Sequence, residues 1–392
     1  MAQVNITLDL EELTEAIFES DMNAMMKSMA VAVLNAYMEI ERDHYINATP
    51  YERTHKRKDQ RNGYYERDYT LNVGTVKLKV PRTRTGEFST DIFEKYQRMD
   101  KAFVLAMVEM VVNGVSTRKV SNIVEKLCGE DVSKSFVSDV LTELDPVIDE
   151  FKSRSLTHSK FRYVYTDAMY IKVRENNRVV SKAIYLAQGV TDDNKREIIG
   201  FKVSDEESEE AWTNFFRNMT NRGLRRPKLI ISDAHAGLKA AIRKVFVGAA
   251  WQRCTFHFTK NITDTMPKKN SEVERQMIKD ILRAPTKQNA RELKVTFEEH
   301  VINKPKYEKA LQTLDSGFED AIQYMGEPEA YHISLRTTNS VERINREIRR
   351  RDKVIGIYPN IPSAERLIGA VVMDLHEEWQ SKKYKFLKDR NL

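Results

Sequence analysis

Residues 163–173 read YVYTDAMYIKV. A run this rich in Tyr, Val and Ile, without Pro or Gly, predicts a buried strand. Aspartate is depleted from strands, and burying its charge costs several kcal/mol unless hydrogen bonds, opposite charges or a metal compensate. Asp167 therefore demands a partner, and that partner must come from elsewhere in the chain.

Two further strands follow, RVVSKAIYLAQGVT (178–191) and REIIGFKVSD (196–205), joined by the short turns ENN and DDNK. EESEEAWTNFFRNMTNRGL (206–224) has the spacing of an amphipathic helix. PKLIISD is a fourth strand, AHAGLKAAIRKVF a helix and GAAWQRC a short fifth strand. Three meandering strands, then helix, strand, helix and strand, is the order of an α/β, RNase H-like core. In that order the first strand is central and the fourth lies beside it, so Asp167 and Asp233 of LIISD become neighbours. Two adjacent carboxylates repel, and one keeps a proton unless a divalent cation neutralises both. Mg2+ takes hard oxygen ligands and commonly joins carboxylates to phosphates.

A third acid is expected on a helix after the last strand. In TTNSVERINREIRRR (337–351), Val341, Ile344 and Ile348 form the buried stripe, while Glu342 shares another side with Arg346 and Arg349. Each acid alone has an ordinary explanation. Asp167 fits a buried aspartate satisfied by hydrogen bonds, and Asp233 fits a helix cap. Glu342 fits a capping box begun by Asn339, or an i,i+4 pair with Arg346. The reading rests on the ordered set, each acid on the element that the chemistry needs.

The remaining sequence frames this core. Residues 1–50 carry helical periodicity in two blocks, LEELTEAIFES and MNAMMKSMAVAVLNAYMEIERDHY, before a basic loop. RDYTLNVGTVKLKVPRTRTGEF alternates as a hairpin about Gly74, with Pro81 expected to stop its second strand. FVLAMVEMVVNG, STRKVSNIVEKLCG and SKSFVSDVLTEL predict three short helices, the last two capped by Ser116 and Ser133, the first two ended by Gly114 and Gly129. This spacing fits a helix-turn-helix, with Lys134, Ser135 and Ser138 opening the recognition helix, or a plain three-helix bundle. Residues 258–332 read as almost wholly helical and charged. The expected divisions are 1–100, N-terminal helices and basic hairpin; 101–152, helix-turn-helix; 153–257, first part of the core; 258–332, a helical insertion; and 333–392, the last part of the core.

With 392 residues, 41% of them hydrophobic, the chain can bury a sizeable core. Its net charge of +6 permits a polyanionic partner without specifying one. Two cysteines, Cys128 and Cys254, are too few for a disulfide framework and suit a reducing compartment. No apolar run is long enough for a membrane span, and the acidic N-terminus is unlike a signal peptide. A cytoplasmic, nucleoid-associated protein is the expectation.

Together RNGYYER, VPRTR, GVSTRKV, VYTDAMYIKVR, LIISDAHAGL, WQRCTFH and TTNSVERINREIRRR resemble the bacterial Mutator-type insertion-sequence transposases of the DD-E superfamily, over most of the chain. The resemblance implies Asp167, Asp233 and Glu342 as catalytic and metal-holding residues, with Mg2+ as cofactor and Mn2+ able to substitute. The acids are separated by 65 and 108 residues, and the longer gap matches the helical insertion that this family carries before its glutamate. The implied reaction is phosphoryl transfer on DNA: hydrolysis at the element's end frees a 3′-hydroxyl, which attacks a target phosphodiester without a covalent enzyme intermediate. Implied partners are the terminal inverted repeats and target DNA, bound by at least a homodimer, since two ends must be paired. Cys254 and His257 of RCTFH form a recurrent C-x-x-H in these proteins. A zinc site needs two further ligands and no second Cys/His pair follows, so packing and hydrogen bonding beside Asp233 is the expected role.

Arg343, Arg346, Arg349, Arg350 and Arg351 are too dense for a solvated helix face and point to phosphate contacts. A second basic stretch, Arg53, Lys56, Arg57, Lys58 and Arg61, points the same way. Three rival functions stand: an RNase H-like nuclease or resolvase that cuts without joining, a non-catalytic DNA-binding protein descended from a transposase, and a helix-turn-helix regulator, which leaves the acids unexplained.

Overall fold

A computed structural model divides the chain into two units, Met1–Leu141 and Thr142–Leu392, and describes residues 22–52, 54–71, 74–93, 101–128, 133–381 and 385–387. The expected helix at 10–20, Arg53, Val73 and Gly129 lie outside the described residues.

In the first unit, helix α1 (Met22–Ile46) packs on a hairpin of β1 (Arg61–Leu71) and β2 (Gly74–Thr83). Met38 meets Tyr69, Val76, Leu78, Val80 and Phe93 in one apolar cluster, which is the alternating face of the hairpin turned inward. Pro81 does not stop β2: it pairs with Tyr64, and the strand runs on to Thr83. A two-stranded ribbon has open edges on both sides, so a residue without an N–H is tolerated there. Helices α2 (Lys101–Val112), α3 (Thr117–Cys128) and α4 (Lys134–Leu141) follow. Gly114 ends the first with φ of 94°, a conformation that other residues avoid. Ser116 and Ser133 accept hydrogen bonds from the N–H groups of Lys119 (3.4 Å) and Phe136 (3.1 Å), capping the next two.

The second unit opens with α5 (Asp145–Ser153) and then builds a sheet from β3 (Phe161–Glu175), β4 (Arg178–Thr191) and β5 (Arg196–Ser204). Its turns use Asn176, Asn177 and Asn194 in the left-handed region, where Asn is tolerated. Helix α6 (Glu209–Asn221), β6 (Leu229–Ser232), α7 (Ala236–Val245) and β7 (Ala250–Arg253) complete the five-stranded sheet, in the order β5-β4-β3-β6-β7. The β3–β4 and β4–β5 pairs are antiparallel, while β3–β6 and β6–β7 are parallel. The fold is therefore mixed α/β, and β3 is central.

Alternation along β4 assigns the faces. Ala183, Tyr185 and Ala187 join Trp212, Phe215 and Phe216 of α6 in the main apolar cluster. Burying each of these aromatics contributes about 1.5–3 kcal/mol. Gln188, of the opposite parity, accepts from Ser340 at 2.6 Å on the other face. Helices α8 (Thr255–Asp264), α9 (Glu272–Ile281), α10 (Lys287–Val301) and α11 (Glu308–Ala321) lie between β7 and the short α12 (His332–Leu335). Helices α13 (Asn339–Ile355) and α14 (Ile361–Ser381) end the unit and pack against the sheet. Among the described residues no helix is long and apolar enough to cross a membrane.

Candidate active site

The β3–β6 register aligns Tyr163 with Leu229, Val164 with Ile230 and Tyr165 with Ile231. Extended by two residues, the same offset sets Asp233 level with Asp167, just beyond the end of β6. Asp233 precedes the cap of α7, which is His235, so it is not a helix cap.

Helix α13 is tied at both ends over this point. Before it, Tyr165 donates to the Ser334 carbonyl (3.0 Å), and the N–H of Thr255 donates to the Arg336 carbonyl (2.8 Å). After it, Gly356 turns the chain at φ of 74°, and Tyr358 bridges to β3 through two backbone hydrogen bonds of 2.9 and 2.8 Å. Val341, Ile344 and Ile348 are buried as the helical stripe requires. Glu342 faces the sheet from the first turn and makes no ion pair among the described residues; Thr338 Oγ1 lies 3.2 Å from it.

Asp167, Asp233 and Glu342 thus line one open cavity of about 640 Å³, together with His257, Asn345, Arg346, Glu347, Arg349, Arg350 and Lys353. Burial, with Asp233 beside it, pushes the Asp167 carboxyl up to about 7. His257 Nδ1 stands 2.6 Å from Asp233 Oδ1, an ion-pair distance. Neither atom makes a hydrogen bond of good angle among the described residues. The contact with Asp233, and then with Cys254, pushes the imidazole up to about 10, so it is charged at neutral pH. Cys254 itself is fully buried, and Thr338 Oγ1 lies 3.4 Å from its sulfur.

Two donor sets are present. The carboxylates offer hard oxygens that repel one another, and beside them the amide oxygen of Asn345 is buried without a hydrogen-bond partner among the described residues; that set fits Mg2+ or Mn2+. The ligand atoms of Asp233, Cys254 and His257 lie within 4.8 Å of one another. This supplies the third donor that a C-x-x-H reading of the sequence lacks, but zinc there would take Asp233 from the oxygen set.

Not every expected cation faces the cavity. Arg343 is exposed but outside the lining. Arg351, also expected to meet phosphates, is 4% exposed on the buried side of α13 and donates to the carbonyl and carboxylate of Glu347. In the first unit Arg61 is likewise held structurally, by Asp43, the Ala48 carbonyl (2.7 Å) and the Thr49 carbonyl (3.2 Å). Arg57 donates to the Asp59 carbonyl at 2.9 Å, whereas Lys58, Lys134 and Ser135 are exposed and Ser138 half-buried.

Asn345 is the site residue that sequence reasoning missed. It is 3% exposed, one turn beyond Glu342, and its amide donates to Asp167 Oδ2 at 2.7 Å. The available signal was a polar residue beside Ile344 on the apolar side of the wheel.

The family described as “Transposase, Mutator family” matches residues 1–382. The transposase for insertion sequence element IS256 in transposon Tn4001 of Staphylococcus aureus is 52% identical over 386 residues, 98% of this chain and 99% of the relative. The transposase for ISRM5 of Rhizobium meliloti is 37% identical, covering 90% of this chain and 88% of its own. That for IS1081 of Mycobacterium tuberculosis is 32% identical, covering 95% and 89%. A solved structure, that of the Mos1 strand transfer complex, covers 61% of this chain and 82% of its own at 12% identity, with a TM-score of 0.18, too low to establish a shared fold. On the full-length family match and these relatives, the chain belongs to the Mutator family of transposases.

Proposed function

We propose that the protein is an insertion-sequence transposase that cuts 3′ ends at the terminal inverted repeats of its element and joins them to target DNA. The observation that carries this reading is the meeting of Asp167, Asp233 and Glu342 in one cavity rimmed by Arg346, Arg349, Arg350 and Lys353. In this reading the five-stranded sheet with its flanking helices is an RNase H-like core, interrupted by a helical insertion at about 258–332. Helices α2–α4 form the helix-turn-helix that reads the repeats, and at least two copies pair the ends. The cell compartment is the cytoplasm, at the nucleoid.

Asp167, Asp233 and Glu342 would hold Mg2+, or Mn2+ in its place. Bound there, two such cations would supply charge stabilisation for the attacking and leaving oxygens of an in-line displacement. The protein's own residues do the rest. The arginines of α13 hold the phosphates flanking the scissile bond. Charged His257 fixes the direction of the Asp233 carboxylate. Asn345 holds one oxygen of Asp167 and so fixes the direction of that carboxylate at the cavity.

The test is a Mg2+-dependent assay on DNA carrying the inverted repeats that flank the gene. Cutting of repeat ends, and joining of precleaved ends to a second duplex, are expected. Cutting without joining would instead support the nuclease reading, and DNA binding with no cutting at all the non-catalytic one.

Asn345→Ala is expected to lower 3′-end cutting about tenfold at limiting Mg2+, and less at saturating Mg2+. A hydrogen bond to a charged group is worth about 1.5–3 kcal/mol, and each 1.4 kcal/mol is a factor of ten. The same loss at every Mg2+ concentration would remove Asn345 from carboxylate positioning.

A further inference from the structure

The second unit carries a second basic concavity, separate from the acids. It is a groove of about 450 Å³ lined by Lys260 of α8, Arg275 and Lys279 of α9, Arg283, and Arg336 ahead of α13. No carboxylate lines it. The surrounding helices show why this matters. Several neighbouring cations are neutralised: Lys239 by Asp320, Arg291 by Glu319, Lys294 by Glu298 and Asp315, Lys304 by Glu274. None of the five groove cations forms an ion pair among the described residues; Arg275 spends its bonds on Ser271 Oγ (3.0 Å) and the Pro267 carbonyl (3.2 Å). Burial, and Arg283 beside it, hold the Arg336 guanidinium below its usual value. The groove also faces the starts of α8 and α13, whose helix dipoles add positive potential.

The groove adjoins the acid cavity. Phe256 lines the groove and is 56% exposed, while the next residue, His257, lines the cavity; their rings are 5.3 Å apart and tilted at 76°. Uncompensated cations tracking away from a reacting centre, with an exposed aromatic ring at the entrance, are the parts that hold single-stranded nucleic acid: charge for the backbone, a ring face for an unstacked base.

We infer that this groove binds the phosphodiester backbone of a frayed DNA strand running past Asp167, Asp233 and Glu342, with Phe256 stacking on the first unpaired base. The inference rests on the transposase reading for its placement at the cut end, but the binding is testable without catalysis.

The experiment compares a forked duplex bearing a 12-nucleotide 3′ single-stranded tail with a blunt duplex of the same paired sequence. Binding is measured by fluorescence anisotropy in EDTA across a salt series. The wild type is expected to bind the fork about tenfold more tightly. The exposed-residue variant Lys260→Ala/Lys279→Ala/Arg283→Ala should lose that preference and flatten the fork's salt slope by about two, at roughly 0.7 per phosphate contact. Phe256→Ala should lose about fivefold on the fork alone. Blunt-duplex affinity should stay within about threefold. Lys306→Ala/Lys309→Ala, exposed cations outside the groove, is the charge control, and circular-dichroism melting verifies folding. Equal losses on both DNAs, equal losses in the control, or an unchanged fork preference would each overturn the inference. If the wild type prefers the fork but shows no Mg2+-dependent cutting, the catalytic reading fails and the groove stands. Cutting without a fork preference sinks the groove alone.

Discussion

Asp167→Asn will abolish 3′-end cutting, by a thousandfold or more, while repeat-end binding stays within about twofold of wild type. Asparagine keeps the shape of aspartate and can still accept the 2.7 Å bond from Asn345, so strand β3 and the cavity walls should persist. What it removes is a negative charge that sits level with Asp233 and opposite Glu342. A cation bound by three carboxylates loses both attraction and a ligand, and the developing charge at phosphorus loses its counterweight. About 4 kcal/mol of lost transition-state stabilisation is a thousandfold in rate. The arginines on the exposed side of α13 and the helices of the first unit are untouched, which is why DNA binding should survive. Labelled repeat-end DNA with Mg2+, run beside a gel-shift of the same DNA, reads both quantities. Cutting within tenfold of wild type would take Asp167 out of the mechanism. A parallel loss of DNA binding would mean that the substitution acts through folding.

How much of this could be read from the residues differs by element, and the reason is locality. Strand β4 matches RVVSKAIYLAQGVT end to end, because ENN and DDNK are turn signals that act within four residues. The pairing of Asp167 with Asp233 was legible because strand order alone makes β3 and β6 neighbours. Glu342 was legible because helical periodicity separates it from Val341, Ile344 and Ile348. Orientation across elements was not legible. Arg351 counts as one more positive charge in REIRRR, yet it lies on the buried side of the helix and is taken by Glu347. Arg61 reads as part of a basic loop, yet Asp43 of α1 claims it. Asn345 looks like a polar blemish on an apolar stripe until β3 arrives opposite it. The basic groove is the extreme case. Its cations are scattered over 77 positions from Lys260 to Arg336, and only the folded chain brings them into one concavity whose lining holds no carboxylate.

The acids should also reveal themselves in stability. Asp167 titrates near 7 in the folded, metal-free protein, raised chiefly by burial and then by Asp233, against about 3.9 in an unfolded chain. The folded state therefore keeps a proton that the unfolded state releases between about pH 4 and 7. The associated stability is complete below pH 4 and is lost as pH rises through 7. Raising the carboxyl from about 3.9 to about 7 corresponds to about 4 kcal/mol, and water in the open cavity reduces this to about 2. Asn at position 167 carries no such cost. In EDTA, Asp167→Asn should therefore melt within about 2 °C of wild type at pH 5 but about 5 °C above it at pH 8, since 1 kcal/mol moves a domain of this size by about 2–4 °C. Titrating groups outside this cluster are common to both proteins and cancel in the difference. Adding Mn2+ at pH 8 should then raise the wild-type melting temperature by mass action and leave the variant unmoved. A melting difference that is the same at pH 5 and pH 8 would mean that Asp167 is not forced against its neighbours. In that event the carboxylates repel too weakly to need a cation between them.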